Sequence, residues 1–127
     1  MHPSSRRLIL IVEDEADLAA TCERLLRRSG HAVVAVGSRA AALAALEDSP
    51  PAVLVLDVRL PDGDGLDIVR AATALQPSVP AVVMTGRASE AGRAAARAAG
   101  AVAYLPKPFT SESFARVVER ALVADTA

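Results

Sequence analysis

Cysteine is nearly absent from this 127-residue chain: Cys22 stands alone, so no internal disulfide can form. Cys22 also falls inside an amphipathic helical pattern, where a thiol reads as a core group rather than a nucleophile. No apolar run is long enough to span a membrane, and the opening residues have charge but no apolar signal core before a cleavage site. A cytoplasmic protein without membrane contact is expected. A net charge of -1 supplies no basic field for nucleic acid, which argues against direct nucleic-acid binding by this chain. Lysine is reduced to one residue, Lys107, among 14 basic side chains. A phosphate-binding Walker loop and a dinucleotide fingerprint are both missing after Val12, where acids stand instead. Hydrophobic content of 52% against 23% charge excludes general disorder, and the length suits one domain over residues 1–127.

Apolar runs and stop signals alternate along the whole chain. Leu8 to Val12 reads as strand one and stops at Glu13, Asp14 and Glu15; Ala16 to Ser29 forms helix one, with Leu18, Cys22, Leu25 and Leu26 inward and Gly30 as the stop. Ala32 to Val36 is strand two. Ser38 caps helix two, which turns Ala42, Leu43 and Leu46 inward and ends at Pro50-Pro51. Val53 to Leu56 is strand three, buried on both faces and ending abruptly at Asp57. Gly65 opens helix three, which Gln76-Pro77 closes. Val79 to Met84 is strand four, Ser89 caps helix four with Gly92 inside it, and Ala101 to Leu105 is strand five. Ser111 caps helix five, with Phe114, Val117, Val118 and Leu122 inward. Gly92 costs its helix about 1 kcal/mol relative to alanine, so helix four is expected to be locally loose.

Strands alternating with helices in this way predict an open, doubly wound parallel sheet with helices on both faces. In such sheets the chemistry lies beyond the carboxyl ends of the strands. The residues just past strands one, three, four and five are Glu13 and Asp14, Asp57, Thr85 and Lys107; strand two adds nothing polar, as suits an outer strand. Carboxylates so close raise one another's proton affinity unless a cation intervenes. Oxygen donors without cysteine or a suitable histidine favour Mg²⁺, with Mn²⁺ as the alternative. A carboxylate held there, with hydroxyl and ammonium donors opposite, is arranged to attack phosphorus and form an aspartyl phosphate.

These residues, together with Leu60-Pro61, Gly65, Gly86, Tyr104 and the Pro-Lys-Pro-Phe run at 106–109, resemble the receiver domain of bacterial two-component response regulators. The likeness covers about Arg7 to Leu122. It implies a flavodoxin-like sheet in the order 2-1-3-4-5 and phosphoryl transfer to Asp57 from a sensor histidine kinase or histidine phosphotransfer protein. It further implies Mg²⁺ on Asp14, Asp57 and the main-chain carbonyl of Arg59, with Glu13 acting through water. By the same resemblance Lys107 pairs with the phosphoryl group, Thr85 hydrogen-bonds to it, and Tyr104 rotates inward as the switch. The face of helix four, strand five and helix five then changes for a downstream output protein or fused effector domain, or for a second copy in a homodimer. The Lys107-Pro108 bond is expected to be cis, aiming the ammonium at the site. Such a phosphoprotein promotes its own phosphorylation and dephosphorylation; it is not a turnover enzyme.

Competing readings are weaker. A pseudo-receiver, acting only as an interaction or dimerisation module, predicts the loss of a site residue, and none is missing. A phosphatase with an aspartate nucleophile would carry a second Asp where Arg59 stands. Glu13 and Asp14 also suit the positive end of helix one, and Glu15 is assigned to that capping role alone. Asp62-Gly-Asp64-Gly is superficially calcium-like, but Leu66 and Thr73 stand where ligands should, so it reads as turn chemistry. Arg59 and Arg87 flank the mouth of the site. His2 and His31 have no partner that would make either catalytic. A stand-alone receiver and the N-terminal part of a longer regulator would look alike.

Overall fold

The computed structural model of the chain describes residues 8–126, with side chains as far as Val123; His2 and the first arginines lie outside them. Five strands, β1 (Leu8–Val12), β2 (Ala32–Val36), β3 (Val53–Asp57), β4 (Ala81–Thr85) and β5 (Ala103–Pro106), alternate with five helices. The helices are α1 (Ala16–Arg28), α2 (Arg39–Asp48), α3 (Leu66–Ala74), α4 (Glu90–Ala99) and α5 (Ser111–Thr126). All strand pairs in the main sheet are parallel and run in the order β2-β1-β3-β4-β5, the expected flavodoxin-like arrangement.

Two apolar layers follow from the period of two along each strand. Ile9, Ile11, Val53, Val55, Val82 and Met84 face α1 and α5, where they meet Cys22, Leu26, Phe114 and Val118. Leu10, Val12, Leu54, Leu56 and Val83 face the other way, onto Ala42 and Leu46 of α2, Ile68 and Val69 of α3, and Ala96 of α4. Strand β3 is buried along its whole length, which is why its sequence shows no alternation. Strand β2 is one of the two edge strands, as its lack of a polar exit residue suggested; β5, which leads to Lys107, is the other. Among the described residues no helix is long and apolar enough to cross a membrane.

Several local expectations are corrected. β4 starts at Ala81, not Val79, because the Val79 N–H turns back to the Ala72 carbonyl at 3.0 Å and finishes the exit from α3. β5 spans Ala103–Pro106 rather than 101–105. Helix α3 already stops at Ala74, ahead of a Gln76-Pro77 bond that is cis, as is Lys107-Pro108. Helix α5 is capped by Thr110, whose hydroxyl accepts the Ser113 N–H at 3.0 Å, while Ser111 is its first helical residue. Glu15 occupies the N-cap of α1 but its side chain makes no capping bond; Glu13 takes the Glu15 N–H instead, at 3.0 Å. Ser38 and Ser89 do cap α2 and α4. The segment after β3 is not a plain turn: Arg59–Leu60 pairs antiparallel with Gly63–Asp64.

Candidate functional site

Parallel strands deliver their exit residues to one edge of the sheet. Glu13 and Asp14 follow β1, Asp57 ends β3 opposite Met84, Thr85 ends β4 opposite Pro106, and Lys107 follows β5. A backbone bond from the Lys107 N–H to the Thr85 carbonyl, 2.7 Å, ties the exit of β5 to that of β4. From there the Lys107 ammonium reaches across the edge. Its Nζ donates to Asp57 Oδ2 at 2.7 Å and to Glu13 Oε1 at 2.8 Å. The other Asp57 oxygen, Oδ1, accepts the Arg59 N–H at 3.0 Å. Glu13 and Asp57 are buried, at 3% and 8% exposure, whereas Asp14 is open to solvent. One oxygen from each of Glu13, Asp14 and Asp57 lies within 4.8 Å of the others.

Burying two carboxylates is unfavourable unless each is paired. Lys107 meets that need for both. Burial alone would lower its pKa, but the hydrogen bonds and charges of Asp57 and Glu13 outweigh that and hold it above the ordinary lysine value. Three carboxylates against one ammonium still leave a formal excess of negative charge at the edge. With only hard oxygen donors gathered there, the acidic triad fits the divalent-metal site typical of receivers. Cys22 behaves as a core thiol: burial, with a smaller push from the Glu13 charge against an opposing pull from Lys107, raises its pKa to about 11.

Thr85 is buried at the same edge, and its hydroxyl accepts the Arg87 N–H at 3.0 Å. Tyr104 is half-buried. Its hydroxyl accepts the Ser89 N–H at 3.3 Å, and the Arg93 guanidinium lies 4.8 Å from its ring centroid. A Cβ at Gly92 would stand 2.7 Å from that hydroxyl and 3.1 Å from Ser89 Oγ, so Gly92 is what lets Tyr104 dock on the first turn of α4. Arg59, Arg87, Thr85 and Tyr104 line a groove of about 760 Å³ beside the edge. Two pairings were not foreseen. His31 is buried with Nε2 at 2.6 Å from Glu119 Oε2, and Asp62 binds the start of α2. No sequence signal marks either, since each joins residues distant along the chain.

Comparison with known proteins agrees with this geometry. The response regulator receiver domain matches residues 9–119. The transcriptional regulatory protein PrrA of Mycobacterium tuberculosis is 40% identical over 110 residues, covering 86% of this chain and 47% of PrrA. The DNA-binding transcriptional regulator NtrC of Escherichia coli is 32% identical over 117 residues, covering 92% of this chain and 25% of NtrC. The chain thus spans about half the length of the mycobacterial relative and a quarter of NtrC. Among solved structures, a CheY-like receiver domain protein from Methanospirillum hungatei superimposes with a TM-score of 0.89 at 26% identity, over 94% of this chain and 96% of that one. A putative response regulator from Chloroflexus aurantiacus gives 0.85 at 28% identity, over 92% and 98%. Receiver domains work in two-component signalling with histidine kinases as partners, and they are not conventional enzymes. Sequence, topology and the charged edge agree, and the chain belongs to the response regulator receiver domain family.

Proposed function

We propose that Asp57 is the phosphoacceptor of a two-component or phosphorelay system. The observation that carries this is the Lys107 ammonium, held between Asp57 and Glu13 at the open edge of the sheet. A carboxylate oxygen of Asp57 attacks the phosphorus of a phosphohistidine on a sensor histidine kinase or histidine phosphotransfer protein. The P–O bond forms as the P–N bond breaks, and the imidazole leaves with the electron pair and takes up a proton. Lys107, already a donor to Asp57, turns its N–H groups to the incoming phosphoryl oxygens, and the buried Thr85 hydroxyl supplies a second donor. Asp14, Asp57 and the Arg59 carbonyl would hold Mg²⁺, or Mn²⁺, with Glu13 acting through water. The ion's contribution is positive charge beside the phosphoryl oxygens.

Thr85 contacts phosphate only in the phosphorylated state, so its shift biases the β4–α4 loop that also carries the Ser89 partner of Tyr104. Tyr104 turning inward gives up that contact and reshapes the face of α4, β5 and α5. This face is read by an output protein or fused effector domain, and two phosphorylated copies pair through it. The relatives are transcription regulators longer than this chain, which supports an output that binds DNA; the net charge of -1 gives this chain no basic field for doing so itself.

The test is intact-mass measurement of wild type and Asp57→Asn after incubation with a small acyl phosphate, with and without Mg²⁺. One phosphate increment is expected on wild type, only with the metal, and none on the variant. An equal increment on Asp57→Asn, or one indifferent to Mg²⁺, contradicts the assignment.

A further inference from the structure

We propose that Asp62 and Arg39 are positioning residues, clamping the segment that follows Asp57 between the first turns of α2 and α3 and so setting where the Arg59 carbonyl stands. The inference rests on the reading of Asp57 and its divalent ion given above.

A helix begins with four N–H groups that its own backbone cannot satisfy. In α2 those of Arg39, Ala40 and Ala41 go to two different places. The Arg39 N–H donates to Asp62 Oδ1 at 2.7 Å and the Ala40 N–H to Asp62 Oδ2 at 2.9 Å. Ser38 takes the third, the Ala41 N–H, on its hydroxyl at 3.1 Å, and the Ala42 N–H then makes the first bond of the helix's own ladder, to the Ser38 carbonyl. Two of these three capping bonds therefore come from a side chain in the loop beyond the acceptor. The Ala40 and Arg39 backbone donors hold the Asp62 carboxyl below its ordinary pKa, so the contact is charge-assisted at neutral pH.

Arg39 closes the clamp from the other side. Its Nε donates to Asp67 Oδ2 in the first turn of α3 at 3.0 Å, and Arg70 holds the other Asp67 oxygen at 3.0 Å. On the way it crosses Gly63, where φ is +149° and a Cβ would lie 2.8 Å from Arg39 Cδ. The loop in between is also tied to itself. Arg59 pairs with Asp64 and Leu60 with Gly63, Asp64 Oδ1 accepts the Leu66 N–H at 2.9 Å, and the Gly65 N–H meets the Val58 carbonyl at 2.7 Å. Helix α2 contributes no side chain to the charged edge, yet its first turn holds the loop whose Arg59 N–H binds Asp57.

The test uses Asp62→Ala, Asp62→Asn and Arg39→Met, each titrated with Mg²⁺ alone while the Arg59 amide signal is followed by NMR, and then phosphorylated at graded Mg²⁺. Asp62→Ala is expected to raise the Mg²⁺ midpoint about tenfold, the low end for a residue that orients a metal ligand. The phosphorylation rate at saturating Mg²⁺ should stay near that of wild type, and Asp62→Asn and Arg39→Met should fall between the two proteins. An unchanged midpoint in Asp62→Ala, with lost amide protection only in α2, would reduce Asp62 to a helix cap and overturn the proposal. If Asp62→Ala does not fold, the other two variants decide it by the same midpoint. Should wild type take no phosphate on Asp57, the reading of Asp57 fails, while the titration with Mg²⁺ alone still judges the clamp.

Discussion

Helices α4 and α5 both pack beside β5 but are attached to the sheet in different ways. Helix α5 buries Phe114, Val118, Ala121 and Leu122, and Phe109 stacks on Phe114 with ring centroids 5.2 Å apart. Helix α4 buries only Ala96 and Ala99. A buried phenylalanine contributes about 1.5–3 kcal/mol through removal of its surface from water, whereas a methyl group contributes about 0.8. Lys107 leaves β5 between an anchored helix and a lightly held one. The charged edge can thus stay fixed on the α5 side while the α4 side moves at small cost.

The contrast can be broken most forcefully at Phe114. Phe114→Ala should cost about 3–5 kcal/mol, as a large core side chain replaced by a cavity does, whereas Ala96→Gly should cost only about 2, from helix propensity and one buried methyl together. Urea midpoints compare them, and equal losses would erase the distinction between the helices. A second effect lies under the same anchored face. The Cys22 thiol ionises at 9.0 when unperturbed and at about 11 in the fold. Its contribution is therefore complete below pH 9 and is lost as pH rises toward 11, about 2 kcal/mol after allowance for screening. Lys107, whose pKa is raised, loses its share further up, above 10.5. Stability measured from pH 8 to 11 should fall less steeply in Cys22→Ala than in wild type; parallel curves would exclude the thiol as the cause.

Smaller effects belong to the lightly held side. Gly92→Ala gains about 1 kcal/mol of helix propensity but places a Cβ 2.7 Å from the Tyr104 hydroxyl. Stability should barely change while the environment of Tyr104 does. Tyr104 is the only tyrosine and tryptophan is absent, so the tyrosine bands of the near-ultraviolet absorption and fluorescence report that ring alone. A spectrum identical to wild type would show that Gly92 does not govern the docking. Amide exchange should also be faster in α4 than in α5, and equal protection would contradict the light attachment.

The charged edge was legible because a buried parallel strand cannot carry a polar residue in its middle. Each abrupt stop, at Glu13, Asp57, Thr85 and ahead of Lys107, therefore marks where the chain leaves the sheet. Boundaries were less so. Thr110 and Ser111 offer neighbouring hydroxyls, and only the direction of the first helical N–H groups selects Thr110. Glu15 stands at the N-cap position where acids favour the helix start, but its side chain makes no capping bond, and Glu13 takes the Glu15 N–H. Asp62 read as turn chemistry because its partners Arg39 and Ala40 lie 23 and 22 residues earlier. Gly92 read as a weak point in a helix; the tyrosine that needs its missing side chain is a strand away.

The most direct test of the account is where the phosphoryl group sits. Wild-type protein treated with a small acyl phosphate and Mg²⁺, then reduced with borohydride, converts an aspartyl phosphate to homoserine that peptide mass spectrometry locates. Homoserine at position 57 alone is the predicted result. Homoserine at position 14, or phosphate that resists borohydride because it sits on a hydroxyl such as that of Thr85, would contradict the chemistry assigned to this edge.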